Sequence, residues 1–352
     1  MYPVIGIKDR VQKVKLMTPK HPNRGTSIIG GVMSGIVNWD DIRYPQMYRS
    51  YTKIRSNFWV PQRIPMGNDK TQWGTLDDHT QLAFLRTIGQ LATLDSKQTR
   101  MILLFQWYLS EPTYGPIAAN IAQQEATHNE SYSYVLSSLV DKETQDWAFS
   151  QALEDPIVLK RNARVDELYQ NFFDNPTPQT FFEALVGCII LEGINFYSAF
   201  TFFFNLARNQ LMIGTSTMID YIQRDEVQHA YFFSQLLRYL LEEMPELNNE
   251  ENVKFIYDEM EVATNLEIEW SKHNLDNVDG IDLIDLEGWI KNLCNRRLRG
   301  VGLGDLYQNT DNAMPWMIVF DDTSTQDTKT DTFESRSRNY KKVDGENEMD
   351  DL

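Results

Sequence analysis

The stretch "LVGCIILEGINFYSAFTFFFNLA", Leu185 to Ala207, constrains this chain more than any other. It is apolar over a length that could cross a bilayer, for which about 20 residues suffice. Yet Glu192, Asn195 and Asn205 lie inside it, and an ionisable group at mid-span is costly in lipid. The remainder is acidic and polar, with a net charge of −17. The expectation is therefore a helix buried in the core of a soluble protein and no membrane association. A chain of 352 residues with 42% hydrophobic content can build the large core that such a helix needs.

The same acidity, with a pI near 4.7, argues against nucleic-acid binding, because a phosphate backbone would be repelled. Only Cys188 and Cys294 are present, without CxxC or zinc-like spacing, so neither a disulfide framework nor a thiol redox centre is indicated. "MYPVIGIKDRVQKVKLM" scatters charges where the apolar core of a secretory signal would lie. A reducing, cytoplasmic location is expected.

Helical spacing of apolar residues dominates, and alternating strand patterns are few. Residues 1–38, rich in Gly, Pro and Lys, read as an irregular N-terminal arm. A helix is expected from about Ile42 to Asn57, with "FWVPQRIPMGNDK" as the loop that ends it. A second helix starts near Thr75 or Asp77 and carries "HTQLAFLRTIGQLATLDSKQ". A third follows Pro112 or Pro116 and carries "AQQEATHNESYSY"; a fourth follows "DNPTPQT" and carries Glu192. A fifth runs from about Gln210 to Glu242 through "IQRDEVQHAYF", and two more are expected near 251–273 and 282–299. From Asp321 onward apolar residues almost vanish, so 321–352 reads as a disordered tail and 39–320 as the helical domain.

The chemistry lies in what these helices carry. Glu125, His128 and Tyr132 follow one another at offsets of three and four, which places them on one helix face. "DEVQH" repeats the device with Glu226 and His229 on a second long helix. Two further helices each hold one acid in an apolar setting, Asp95 in "LATLDSKQ" and Glu192 in "CIILEGINF". Each element alone has a plain explanation. A single Glu-x-x-His is usually a solvated face, Asp95 could be a surface residue, and Glu192 could pair with Arg208 or another base. Together they make four carboxylates and two imidazoles on four helices, and buried anions repel unless a compact cationic charge sits among them. Two divalent or trivalent metals would supply that charge.

One acid from each of two helices and Glu-x-x-His from each of two others is the known ligand pattern of ferritin-like dimetal bundles. The expected fold is all-α, a ferritin-like four-helix-bundle core with additional helices and a disordered C-terminal tail. Oxygen-rich sites with one imidazole per metal suit iron or manganese better than zinc or copper. Two such ions per chain are expected.

From about Asn38 to its C-terminus the chain resembles the small, radical-generating subunit of class I ribonucleotide reductase. The resemblance rests on "LDSKQ", "EATHNESY", "LEGINFYSAF" and "RDEVQH" in order, with "FWVP" upstream and a tyrosine in an acidic tail. It implies a homodimer that generates a stable tyrosyl radical at Tyr132 and starts ribonucleotide reduction, for deoxyribonucleotide synthesis, in a separate large catalytic subunit. It implies that Asp95, Glu125 and His128 hold one metal and Glu192, Glu226 and His229 the other, with Glu125 and Glu226 bridging. It also makes Trp59, Asp225 and Tyr340 the relay for the oxidising equivalent, and the last residues the peptide that docks the large subunit.

Without the resemblance, Tyr132 and Trp59 read as packed aromatics and Tyr340 as a chance one. Asp225 precedes Glu226 by one residue and so points about 100° away on the helix, where it could accept the second ring proton of His128 and fix its tautomer. Phe196, Phe200, Ile219 and Ile222 fall on the metal-facing stripes. The alternative function is a stand-alone dimetal oxidase or oxygenase, or a ferritin-like metal protein. Ferritins are shorter and lack the tail; fatty-acid desaturases share the ligands but need no Tyr132, Trp59, Asp225 and Tyr340 together. Ribonucleotide reduction needs several redox thiols at one site, and Cys188 and Cys294 stand alone, so the reductase reading requires a partner. If manganese is the metal, the resemblance adds a flavodoxin-like activator. The tail ends "ENEMDDL", with Met349 and Leu352 as its apolar anchors where the family commonly has an aromatic.

Overall fold

The computed structural model describes residues 5–16, 24–310 and 313–317. Among them the chain forms helices and no strand, apart from one isolated bridge between Ile29 and Leu109. In chain order the helices are α1 (Pro45–Ser56), α2 (Gly67–Trp73), α3 (Asp78–Phe105), α4 (Tyr114–Leu139), α5 (Lys142–Glu154), α6 (Pro156–Asp174), α7 (Pro178–Ile190), α8 (Tyr197–Arg208), α9 (Ile213–Glu243), α10 (Glu250–Leu275) and α11 (Leu283–Gly300). Helices α3 and α4 pack along each other, and α7 and α8 pack on α9. These elements form the bundle core, with α1, α5, α6, α10 and α11 around it.

Helix starts follow local chemistry. Asp77 accepts the Thr80 N–H at 3.0 Å to open α3. Thr177 and Thr180 form a reciprocal capping box ahead of α7, with Pro178 in its first turn. Asn249 and Asp282 cap α10 and α11 with a side-chain oxygen that accepts from the first-turn N–H groups.

Helix α9 departs from this rule. Met212 before it is left-handed, with φ 51°, and offers no side-chain cap. Asp69 of α2 does the work from a distance, accepting the N–H groups of Gly214 at 2.9 Å and Thr215 at 2.7 Å. Helix α2 begins inside "FWVPQRIPMGNDK", so that segment is not only the loop expected: it holds a 3₁₀ turn at Pro61–Arg63 and then the helix that caps α9.

Other departures are as informative. The sequence reading assigns no separate helix to residues 142–174, where α5 and α6 lie. Helix α5 crosses α3 at Gly89, where a Cβ would sit 2.0 Å from the Ala148 carbonyl oxygen, so only glycine permits the approach. The third expected helix starts at Tyr114, with Pro116 inside its first turn. The fourth is interrupted: Leu191–Asn195 form a π-helical turn between α7 and α8.

The apolar span that constrains the fold is the α7–α8 segment, Pro178–Arg208, and its most apolar window is entirely buried inside the protein. The described part of the N-terminal arm has no helix but is pinned to the body by backbone hydrogen bonds, Val11 N to Pro176 O at 2.8 Å, Val14 N to Trp107 O at 2.7 Å and Gln179 N to Ile7 O at 2.9 Å.

Candidate metal centre

Four elements each carry acidic groups to one point inside the bundle: α3 brings Asp95, α4 brings Glu125 and His128, the π-helical turn brings Glu192, and α9 brings Glu226 and His229. All six side chains are fully buried. Asp95, Glu125, His128 and Glu226 can each offer a ligand atom to one cluster, and Glu125, Glu192, Glu226 and His229 to a second, with atoms in each cluster within 4.8 Å of one another. Glu125 and Glu226 belong to both. Glu192 has no pairing with Arg208, which instead bonds Asn205 at 3.0 Å and lies over the Trp316 ring.

Both imidazoles turn Nδ1 toward the acids. His128 Nδ1 is 3.0 Å from Glu226 Oε1. His229 Nδ1 is 2.9 Å from Glu226 Oε2, 3.0 Å from Glu125 Oε1 and 3.6 Å from Glu192 Oε2. Both oxygens of Asp95, Glu125 and Glu192 lack a hydrogen bond of good geometry. Buried charged groups in that state are costly.

The ionisation of the group reflects this cost. Burial, then the charge of Glu125, holds Asp95 well above the ordinary carboxylate range. Burial and the charges of Glu226 and Glu192 push Glu125 up to about 8. Burial and Glu192 likewise raise Glu226 far above its usual value. Burial would raise Glu192 as well, but contact with Glu226 and the two imidazoles holds it below normal. Burial would lower the histidines; the acids around them outweigh it and raise both. An oxygen-rich pocket that must otherwise collect protons fits a pair of hard or borderline cations, iron or manganese among them.

A hydrogen-bonded chain leads outward from His128. Its Nε2 lies 3.2 Å from Asp225 Oδ2, and the Trp59 indole N–H donates to the same oxygen at 3.1 Å. Trp59 is buried beside the exposed Phe58, at the edge of the body. Tyr132 lies one turn beyond His128 with its hydroxyl buried and without a well-formed hydrogen bond. Burial and then the charge of Asp95 hold that phenol protonated. Phe196, Phe200, Ile219 and Ile222 are buried, and the two phenylalanine rings stack at 5.8 Å. Tyr340 and the tail lie outside the described residues.

Sequence reasoning missed Gln124. Its amide joins His229 Nε2, at 2.9 Å, to Asp225 Oδ1, also at 2.9 Å. Its position next to Glu125 was the available signal, but adjacency on a helix does not say which way a glutamine reaches.

Comparison with known proteins bears on this arrangement. The family model described as "Ribonucleotide reductase, small chain" matches residues 36–315. The ribonucleoside-diphosphate reductase subunit beta of Halalkalibacterium halodurans is 41% identical over 346 residues, covering 98% of this chain and all of that protein. The solved ribonucleotide reductase R2 subunit from Clostridium botulinum superposes with a TM-score of 0.86 at 31% identity, over 89% of this chain and 99% of that one. A dimanganese(II)-NrdF structure from Streptococcus sanguinis shares the fold with a TM-score of 0.71 at 23% identity, over 78% of this chain and 94% of that one.

Proposed function

The chain belongs to the small subunits of class I ribonucleotide reductase, and from that premise we propose how its residues divide the work. As a small subunit of ribonucleoside-diphosphate reductase it has a ferritin-like fold, a dinuclear iron or manganese centre and a tyrosyl radical, and it operates as a dimer with a large catalytic subunit. Asp95, Glu125 and His128 hold one metal, and Glu192, Glu226 and His229 the other. The observation that carries this assignment is the sharing of Glu125 and Glu226 between two buried clusters, which is what a bridging pair requires. Metals held there, once oxidised by dioxygen or another external oxidant, would supply the one-electron oxidising equivalent for Tyr132.

The protein's own residues then handle protons and electrons. Tyr132 in its dry pocket resists simple deprotonation, so forming a neutral radical there would require its electron to go to the oxidised metal pair and its proton to a base at the centre, beside Asp95, the carboxylate that influences the phenol most. Asp225 accepts from His128 and from Trp59 at one oxygen, which supports a relay from the centre to the body's edge. Tyr340 then carries the oxidising equivalent into the large subunit. On this reading residues 39–320 are the dimetal domain, 1–38 an arm, and 321–352 the docking tail. A flavodoxin-like activator completes the system if manganese is used, and the compartment is the cytoplasm.

The test is metal analysis with electron paramagnetic resonance on protein from its native host. About two metals per chain and a tyrosyl signal are expected. Deleting all residues after Phe333 is expected to leave both intact while abolishing nucleotide reduction with the large subunit, and Tyr340→Phe to dock without turnover. Full activity of the truncated chain would remove the tail's role.

A further inference from the structure

The direction of the Gln124 amide is fixed by its neighbours. Its nitrogen lies 2.9 Å from Asp225 Oδ1 and 3.1 Å from the carbonyl oxygen of Ile54 in α1, and both are acceptors. Turning the amide over would set its oxygen against two other oxygens, so the NH₂ faces Asp225 and Ile54. The amide oxygen, 2.9 Å from His229 Nε2, can then only accept. His229 must carry its proton on Nε2, which leaves Nδ1 facing Glu226, Glu125 and Glu192. The other imidazole obeys the same logic without an intermediary: Asp225 Oδ2 accepts from His128 Nε2, and Nδ1 faces Glu226.

We propose that Gln124 is a positioning residue through which one buried carboxylate, Asp225, sets the ring orientation and tautomer of both metal-facing histidines, directly for His128 and across the Gln124 amide for His229. The inference rests on the assignment of those histidines as metal ligands. It makes the connection to Trp59 forked, with an arm from each histidine meeting at Asp225. Ile54 O gives the amide a second anchor in the α1 helix, so Gln124 cannot rotate without breaking contacts to two elements besides its own. Partners of this kind hold a metal-binding imidazole in register, and their loss typically weakens metal binding about 10–100-fold.

The experiment is a manganese(II) titration of the full-length chain, with free ion followed by its electron paramagnetic resonance and bound ion located by anomalous diffraction. Gln124→Met keeps the volume and removes both donor and acceptor; it is expected to weaken the His229 pocket about 10–100-fold and the His128 pocket distinctly less. Gln124→Glu keeps an acceptor oxygen for His229 but sets its second oxygen against Asp225 Oδ1 and the Ile54 carbonyl, so it is expected to leave the His229 pocket weakened as well. Wild-type binding in Gln124→Met, equal loss at both pockets, or wild-type binding in Gln124→Glu would each overturn the proposal. His229→Ala separates the two levels of the argument: if it keeps both ions, the ligand assignment falls and this inference with it, whereas loss of one ion there with no effect of Gln124→Met removes Gln124 alone.

Discussion

Two regions of this interior bury carboxylates equally well and treat them in opposite ways. Glu267 of α10, fully buried, is met by Arg161 of α6 at 2.5 Å and by the Ser198 hydroxyl. The Arg161 guanidinium also donates to the Asn195 carbonyl at the end of the π-helical turn and lies over the Trp270 ring. Across that same turn, the ion-pair partners of Glu125, Glu192 and Glu226 among the described residues are imidazoles, and Asp95 lies beside them without an arginine or lysine of its own. The fold can thus neutralise a buried acid with its own arginine where the acid is structural. Where it presents four acids without one, the missing charge has to come from outside the chain.

Sharp tests of this contrast begin with the dimetal side. His229→Ala is expected to lose full metal loading, the radical and reductase activity together, read by metal analysis and electron paramagnetic resonance. Tyr132→Phe is expected to lose the tyrosyl signal entirely while metal content stays near two per chain. Its folding stability should move by no more than about 1 kcal/mol, since the deleted hydroxyl has no well-formed hydrogen bond to lose.

On the self-neutralised side the expected result is reversed. Arg161→Met strands Glu267 and should cost about 3–5 kcal/mol of stability in denaturant unfolding, with metal stoichiometry unchanged in the fraction that folds. Adding Glu267→Leu should restore much of that loss, because removing both charges leaves no unpaired ion. A double variant as unstable as the single one would show that the pair does more than balance charge.

Removing the metals should expose the contrast in a pH profile. Glu125 rises from an ordinary value of 4.5 to about 8 in the fold, and Asp95, Glu226, His128 and His229 shift the same way. The folded metal-free chain therefore binds more protons than the unfolded one, and its stability should fall as pH rises from about 4.5 through about 8. Within the centre Glu192 acts in the opposite sense. Chemical denaturation with chelator present is the measurement. Metal binding displaces those protons and keeps both imidazoles neutral, so the loaded protein should lose that fall and instead gain stability as pH rises through the ordinary histidine value of 6.5. The smallest effect expected is on stability in Trp59→Phe, which removes one indole hydrogen bond to Asp225 at a cost of about 1 kcal/mol. Metal content should be untouched while turnover with the large subunit drops.

Much of this protein was written in local sequence. Offsets of three and four residues put Glu125, His128 and Tyr132 on one face, and a carboxylate inside the most apolar stretch marked Glu192 as a buried acid, because helical periodicity and the cost of burying charge are properties of neighbours along the chain. Tertiary structure alone decided what depends on groups far apart in sequence. Asp69 caps α9 across more than a hundred residues, since the strained Met212 before that helix cannot do so. The π-helical turn at Glu192 reads as ordinary helix in sequence, yet its carbonyls at Gly193 and Asn195 are taken by Arg297 and Arg161 from two other helices. The reach of Gln124 to Asp225, Ile54 and His229 was equally invisible, because a hydrogen bond is set by where three helices bring their atoms and not by which residues stand side by side in the chain.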